Sequence, residues 1–121
     1  MTKNHYELNP DITIDKLKEI GFKQGGWMSN IEKPKMSYVR PLVEDIELCI
    51  EINTNTFDFN EDENIVVIDD NFCQAYFPFY NEDATFEYAL KVKRAYNDKM
   101  DSLVDEGLLT KVKTKTKKKT M

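Results

Sequence analysis

The chain has 121 residues, enough for one hydrophobic core and too few for two. Its net charge of −5 conceals a division: all 22 acidic residues precede Lys111, so the part before it carries −11 and residues 111–121 carry +6. At 40% hydrophobic content the sequence folds, and an acidic body of this kind repels nucleic acid and anionic membranes while favouring basic partners.

The opening Met1-Thr-Lys-Asn-His-Tyr lacks the apolar core of a signal peptide, and no apolar run reaches the ~18 residues of a membrane helix. The expectation is a cytoplasmic protein with no membrane partner. Cys49 and Cys73 are too few and too widely spaced for a disulfide framework or a zinc site.

Along the chain, Asn9-Pro10-Asp11 is a turn, and Thr13 is placed to cap a short helix over Ile14–Ile20. Ile12 can staple to Leu17, and Gly21 supplies the left-handed residue that ends the helix. After Gly25-Gly26, residues 27–29 and 36–40 read as two short antiparallel strands. Pro41 ends the second or sits on an edge. In Ile46–Asn53, Ile46, Leu48, Ile50 and Ile52 alternate with Glu47, Cys49, Glu51 and Asn53, the period of a strand with one face dry and one wet. Residues 54–60 alternate weakly, residues 65–68 form a β-branched strand, and Asp69-Asp70-Asn71 is a turn. Residues 72–80 are aromatic and extended, interrupted by Pro78, as a final short strand or a packed loop.

From Glu82 the period becomes helical. Phe86, Ala89, Leu90, Val92, Tyr96, Met100, Leu103 and Val104 share one face, Asn81 can cap the start, and Gly107 ends the helix with Leu108 folding back on Leu103. Beyond Leu109 the pattern is lost. The sequence thus reads as a single α+β domain over residues 1–110, with a short N-terminal helix, an antiparallel sheet of four or five strands, and a long C-terminal helix packed on the sheet. Residues 111–121 read as a disordered lysine-rich tail.

The strongest functional signal is a window. Residues 41–90 contain no Lys, Arg or His but thirteen acids. Glu47 and Glu51 on the wet strand face, with Asp58, Glu61, Asp62, Glu63, Asp69 and Asp70 beside them, form a candidate partner-binding surface, and Tyr76 and Tyr80 are its candidate aromatic anchors. Asp58, Asn60, Asp62 and Asp69 sit at calcium-loop spacing. Glu63 in place of the turn glycine, the short Asp69 and strand-like flanks argue instead for an acidic hairpin loop. His5 stands alone in the N-terminal stretch, so any histidine-based scheme would lack a second member. Cys49 faces Glu47 and Glu51, which disfavour a thiolate, and Cys73 reads as a small core residue among aromatics. Most of Phe57, Phe59, Phe72, Tyr76, Phe77, Phe79 and Tyr80 are expected in the core. No nucleophile elbow, phosphate-cradling loop or paired metal motif occurs, so no catalytic, cofactor-binding or metal-binding residue is assigned.

Several stretches resemble small, largely uncharacterised proteins carried by phages and mobile elements of low-GC Gram-positive bacteria. They are Leu8-Asn-Pro-Asp-Ile-Thr-Ile-Asp-Lys-Leu-Lys-Glu-Ile-Gly-Phe22, Gly25-Gly-Trp-Met28, the run from Asp70-Asn-Phe-Cys73 to Tyr80, and the helix ending in Glu106-Gly107. The resemblance carries no catalytic motif and implies an accessory factor acting on a host or phage protein. The leading expectation is a non-enzymatic protein-interaction module whose acidic face binds a basic protein surface, in its sharpest form as a nucleic-acid mimic that inhibits a DNA-binding protein. The alternatives are a nucleic-acid-associated protein acting through the lysine tail, and a small enzyme whose site the sequence does not reveal. Oligomeric state is not legible.

Overall fold

The computed structural model describes residues 6–25 and 34–111. Strand β1 (Tyr6–Leu8) leads into helix α1 (Ile14–Ile20), then β2 (Lys23–Gln24), β3 (Lys35–Val43) and β4 (Ile46–Asn53). Helix α2 (Glu61–Asn64), β5 (Ile65–Asp69), β6 (Gln74–Ala75), α3 (Phe77–Tyr80), the long α4 (Glu87–Asp105) and β7 (Leu109–Lys111) follow. Strands β2 to β6 form an antiparallel meander in chain order, and β1 pairs with β7 in a separate two-stranded sheet. The fold is α+β, with α4 packed on the five-stranded sheet.

Strand β4 is central to that sheet. Its period-two pattern is read out directly: Ile46, Leu48, Ile50 and Ile52 are buried, while Glu47, Cys49, Glu51 and Asn53 face the other side. Met36 and Tyr38 of β3 and Ile65 and Val67 of β5 extend the buried face. Against it lie Ala89, Val92, Tyr96, Met100 and Leu103 of α4, spaced three and four apart as one helical stripe requires. Each fully buried aliphatic side chain contributes about 1.5–3 kcal/mol relative to exposure, so this layer is what holds sheet and helix together.

Helix α1 starts and stops as its termini dictate. Thr13 Oγ1 accepts from Lys16 N at 3.1 Å, and Gly21, at φ 128°, lets the N–H groups of Gly21 and Phe22 both reach the Leu17 carbonyl. The end of α4 follows the same logic: Leu108 N donates to Leu103 O at 3.0 Å past Gly107, and Leu108 is fully buried.

The start of α4 differs from the sequence expectation. Phe86 occupies the N-cap with extended backbone and is 54% exposed, so it is not part of the buried face, and Leu90 also lies at the surface. The preceding residues form a turn: Asn81 Oδ1 accepts from Asp83 N, Ala84 N donates to Asn81 O, and Lys93 Nζ binds the carbonyls of Asn81 and Ala84. The carbonyls that a helix from Glu82 would use internally are thus consumed by the turn and by lysine.

Other expectations are corrected. Strand β3 continues past Pro41 to Val43. The proline is tolerated because β2 reaches only Met36 and Ser37, and the β3–β4 ladder is bulged between Pro41 and Val43. Residues 54–60 form a turn and an irregular segment rather than a strand, since Asn53 Oδ1 accepts from the N–H groups of Asn55 and Thr56 and turns the chain away. Residues 72–80 contain a two-residue strand and then a helical turn with Pro78 near its start. Of the seven aromatics, Phe57, Phe59, Tyr76 and Phe79 are partly buried and pack against the core, whereas Phe72, Phe77 and Tyr80 are exposed. Cys73 is exposed at φ 54° in a tight turn, not in the core. The segment after α4 pairs as β7, which takes in Lys111, the first residue of the expected disordered tail, because it lies opposite Tyr6 and its Nζ reaches Asp101 Oδ1 at 3.2 Å. The expected strand at residues 27–29, His5, and residues 112–121 lie outside the described residues.

Leu103→Ala should lower the unfolding free energy by about 2–5 kcal/mol, the cost of a cavity at a site with no exposure. Phe86→Ala should change it by less than about 0.5 kcal/mol, as at an ordinary surface position. Urea denaturation of both variants measures the contrast.

Candidate protein-interaction surface

The residues singled out from sequence divide between the two ends of β4 and β5. The register pairs Ile46 with Asp69 at one end and Ile50 with Ile65 at the other. Asp69 and Asp70 therefore lie beside the Glu44-Asp45 turn that joins β3 to β4, whereas Asp58, Glu61, Asp62 and Glu63 lie toward the opposite end. They do not form one continuous face.

At the turn end, Asp45 adopts φ 69°, a conformation aspartate tolerates, and its carbonyl accepts from Asp70 N at 2.9 Å. Tyr88, in the first turn of α4, donates its hydroxyl to the Glu44 carbonyl. Its ring meets that of Tyr76 edge-on, with centroids 6.0 Å apart. Glu44, Asp45 and Asp69 with Tyr76 and Tyr88 line a concavity of about 320 Å³. Burial, then the Asp69 carboxylate, raises the Tyr76 phenol above its ordinary pKa, and burial, then Asp45, does the same at Tyr88. The Glu47 carboxyl is likewise raised, by burial first and then by its hydrogen bond to the Asp70 carboxyl and that group's charge. Exposed Phe72 lies in the turn just beyond Asp70.

The outer sheet face is not the uniformly acidic surface expected from Glu47 and Glu51. Cys49 stands opposite Val39 and Val66, Glu47 opposite Ile68, and Lys35 Nζ approaches Glu51 Oε1 to 3.8 Å. The face is mixed because β3 and β5 bring aliphatic residues alongside the carboxylates. Burial, then the charges of Glu51 and Glu47, holds the Cys49 thiol up, as the sequence implied.

Glu61 needs the largest correction. It is 8% exposed, with Oε1 accepting from Tyr6 N at 3.2 Å and Oε2 from the Tyr96 hydroxyl at 2.6 Å. It is a structural tie between β1, α2 and α4 and is unavailable to a partner. Asp58, Asp62 and Glu63 are exposed, and Asn60 Oδ1 caps α2 by accepting from Asp62 N. Asp69 belongs to the β5 ladder, so it does not share a loop with Asp58. Tyr80 is partly exposed, yet its hydroxyl accepts from Val67 N at 3.0 Å and completes the edge of β5. Among the described residues, no group of three or more His, Cys, Asp or Glu side chains is placed to hold a metal ion. Likewise, no described helix is long and apolar enough to cross a membrane.

Sequence reasoning missed Glu44, Asp45 and Tyr88 as site members. The two-residue spacing between β3 and β4 could have pointed to Glu44 and Asp45 as a hairpin tip, since such a tip exposes both residues.

No family model matches the chain, and no curated protein does. The fold is shared with a DUF1831 family protein from Lactobacillus plantarum, known from a crystal structure at 1.20 Å resolution. The TM-score is 0.60 at 18% identity, covering 88% of this chain and 86% of that one. The likeness is one of fold. That family is uncharacterised and its source is a low-GC Gram-positive bacterium.

The Glu61 tie has an alkaline signature. Burial raises the Tyr96 phenol, helped by its hydrogen bond to Glu61, and burial with the Asp101 charge pushes Tyr6 up to about 12 from its ordinary 10.0. Both raised values favour the protonated phenol in the fold. Their stabilising contribution is therefore complete below about pH 10 and is lost as pH rises toward and beyond 12. Urea denaturation from pH 9 to 12 should show stability falling across that window, with a shallower fall in Tyr96→Phe. At neutral pH the same variant should cost about 1–3 kcal/mol, since Glu61 loses a buried donor.

Proposed function

We propose that this is a non-enzymatic accessory module that binds a basic protein surface, carried by a phage or mobile element and acting in the cytoplasm of a low-GC Gram-positive host. The observation that carries the reading is the turn-end concavity, in which Glu44, Asp45 and Asp69 converge around the rings of Tyr76 and Tyr88. Carboxylates supply long-range attraction for lysine and arginine, and half-buried tyrosines supply rigid anchoring area once contact is made. Glu47 and Asp70, which share a hydrogen bond beside the concavity, add two further carboxyl groups to the attraction for a basic partner. In its sharpest form the module competes with nucleic acid for a DNA-binding protein, with its carboxylates taking the place of phosphates.

Glu44→Lys combined with Asp70→Lys, both at exposed positions, tests the reading. Stopped-flow association with a fluorescent arginine-rich peptide should slow by about tenfold or more in the double variant, within the range of electrostatic steering. The wild-type rate should fall as the Debye length shortens to about 10 Å at 0.1 M salt. Asp62→Lys with Glu63→Lys, at the far end of β5, should have the smaller effect. Equal rates for wild type and a correctly folded Glu44→Lys/Asp70→Lys protein would remove the turn end from the mechanism.

A further inference from the structure

Four elements meet at the turn-end concavity. Glu44 and Asp45 come from the β3–β4 turn, Asp69 from the end of β5, Tyr76 from the residue after β6, and Tyr88 from the first turn of α4. Hydrogen bonds to the backbone tie them in place: Asp70 N donates to Asp45 O at 2.9 Å, Tyr76 N to Val67 O at 2.8 Å, and the Tyr88 hydroxyl to Glu44 O. Asp69 Oδ1 accepts from Asn71 N at 2.9 Å, which orients that carboxylate and leaves its second oxygen for a ligand. The walls are thus set before anything binds, which spares a ligand the cost of ordering them.

Three features narrow the ligand. The volume, about 320 Å³, lies at the small end of the roughly 300–1,000 Å³ spanned by ligand sites, so the concavity takes one head group and not a run of side chains. The rings of Tyr76 and Tyr88 stand at 90° with centroids 6.0 Å apart and form a corner of π surface, and because the Tyr88 hydroxyl is engaged, the ring is what Tyr88 offers. Among the described residues, Glu44, Asp45 and Asp69 enter no ion pair, so the chain itself does not neutralise the charge of the lining.

A cation meets all three conditions, and a planar one meets them best. A guanidinium can lie flat against a tyrosine ring while the N–H groups along its edge donate to carboxylates. It is also more weakly hydrated than an ammonium, so leaving water costs it less. A lysine ammonium gains from the carboxylates as a point charge but has no planar face to set against the rings.

We propose that the concavity is a receptor for one arginine side chain of the partner, its guanidinium stacked in the Tyr76–Tyr88 corner and donating to the carboxylates of Asp45 and Asp69. This inference rests on the reading of the turn end as a surface for a basic protein and makes that reading residue-specific. One arginine is inserted, and the other basic residues of the partner contribute only long-range attraction.

The test titrates two probes, Nα-acetyl-arginine methylamide and Nα-acetyl-lysine methylamide, at matched ionic strength and follows the amide chemical shifts of the β3–β4 turn and the start of α4. The arginine probe should bind saturably at one site and about three- to fivefold more tightly than the lysine probe, the scale of a cation–π contact near the surface. Tyr76→Leu should abolish that preference and leave the two probes alike. Asp45→Asn, which the left-handed backbone at this position accommodates, should weaken the arginine probe by about threefold or more. Asp58→Asn, toward the opposite end of the sheet, should leave it unchanged. If Tyr76→Leu melts early, Asp45→Asn and the comparison of the two probes on the wild type decide the matter. Equal affinity of the wild type for the two probes, unaltered affinity in Asp45→Asn, or a preference that survives in a folded Tyr76→Leu protein would overturn the arginine receptor. Should an arginine-rich peptide still associate more slowly with the Glu44→Lys/Asp70→Lys protein in that event, the basic-surface reading stands without it, whereas the loss of both effects would overturn the two together.

Discussion

Everything in this fold is registered to the dry face of β4. Ile46, Leu48, Ile50 and Ile52 must all meet α4 and the neighbouring strands, and a one-residue slip would exchange them for Glu47, Cys49 and Glu51. Neither the meander on both sides of β4 nor the phase of α4 is free once that constraint holds. It also fixes the geometry of the acidic residues: register alone carries Asp69 and Asp70 to the Glu44-Asp45 turn and leaves Asp58, Asp62 and Glu63 at the other end. The apparent continuity of charge in the linear window is therefore divided in space.

Glu61 shows how a local pattern and a tertiary constraint part company. In sequence it is one of three consecutive acids and has nothing to separate it from Asp62 and Glu63. Helix α2 turns it inward while the other two stay in water. Its partners come from residues 35 and 55 positions away in the chain, so no window of ordinary length contains the information. A buried carboxylate is tolerated here because both of its oxygens accept hydrogen bonds.

Elements with self-contained signals were legible. Helix α1 lies at its expected bounds because Thr13, Leu17, Gly21 and Phe22 determine it among themselves, and the end of α4 follows from Leu103, Gly107 and Leu108. The start of α4 was not legible, because Asn81 and Glu82 suit a helix N-terminus as well as they suit a turn, and Lys93 decides between them by taking two carbonyls. The aromatic residues were legible only in part: Phe57, Phe59, Tyr76 and Phe79 pack at the edge of the core, while Phe72, Phe77 and Tyr80 are exposed. Of the candidate surface, the acids of the turn end were visible as composition, but Tyr88 enters only through the fold, which brings the first turn of α4 to the β3–β4 hairpin.

The pairing of β1 with β7 joins residues about a hundred positions apart, Tyr6 opposite Lys111 and Leu8 opposite Leu109. Closing a loop of that length from an unfolded chain costs on the order of 4 kcal/mol, more than a ladder of three residue pairs returns. The three-pair ladder therefore depends on the meander and α4 to hold its two strands together, and on Tyr6 and Leu109 being buried against them. Amide hydrogens of β1 and β7 should exchange through local opening while those of β4 wait for global unfolding. The hold on this edge therefore comes from the side chains of Tyr6, Leu108 and Leu109 buried in the core rather than from the short ladder itself.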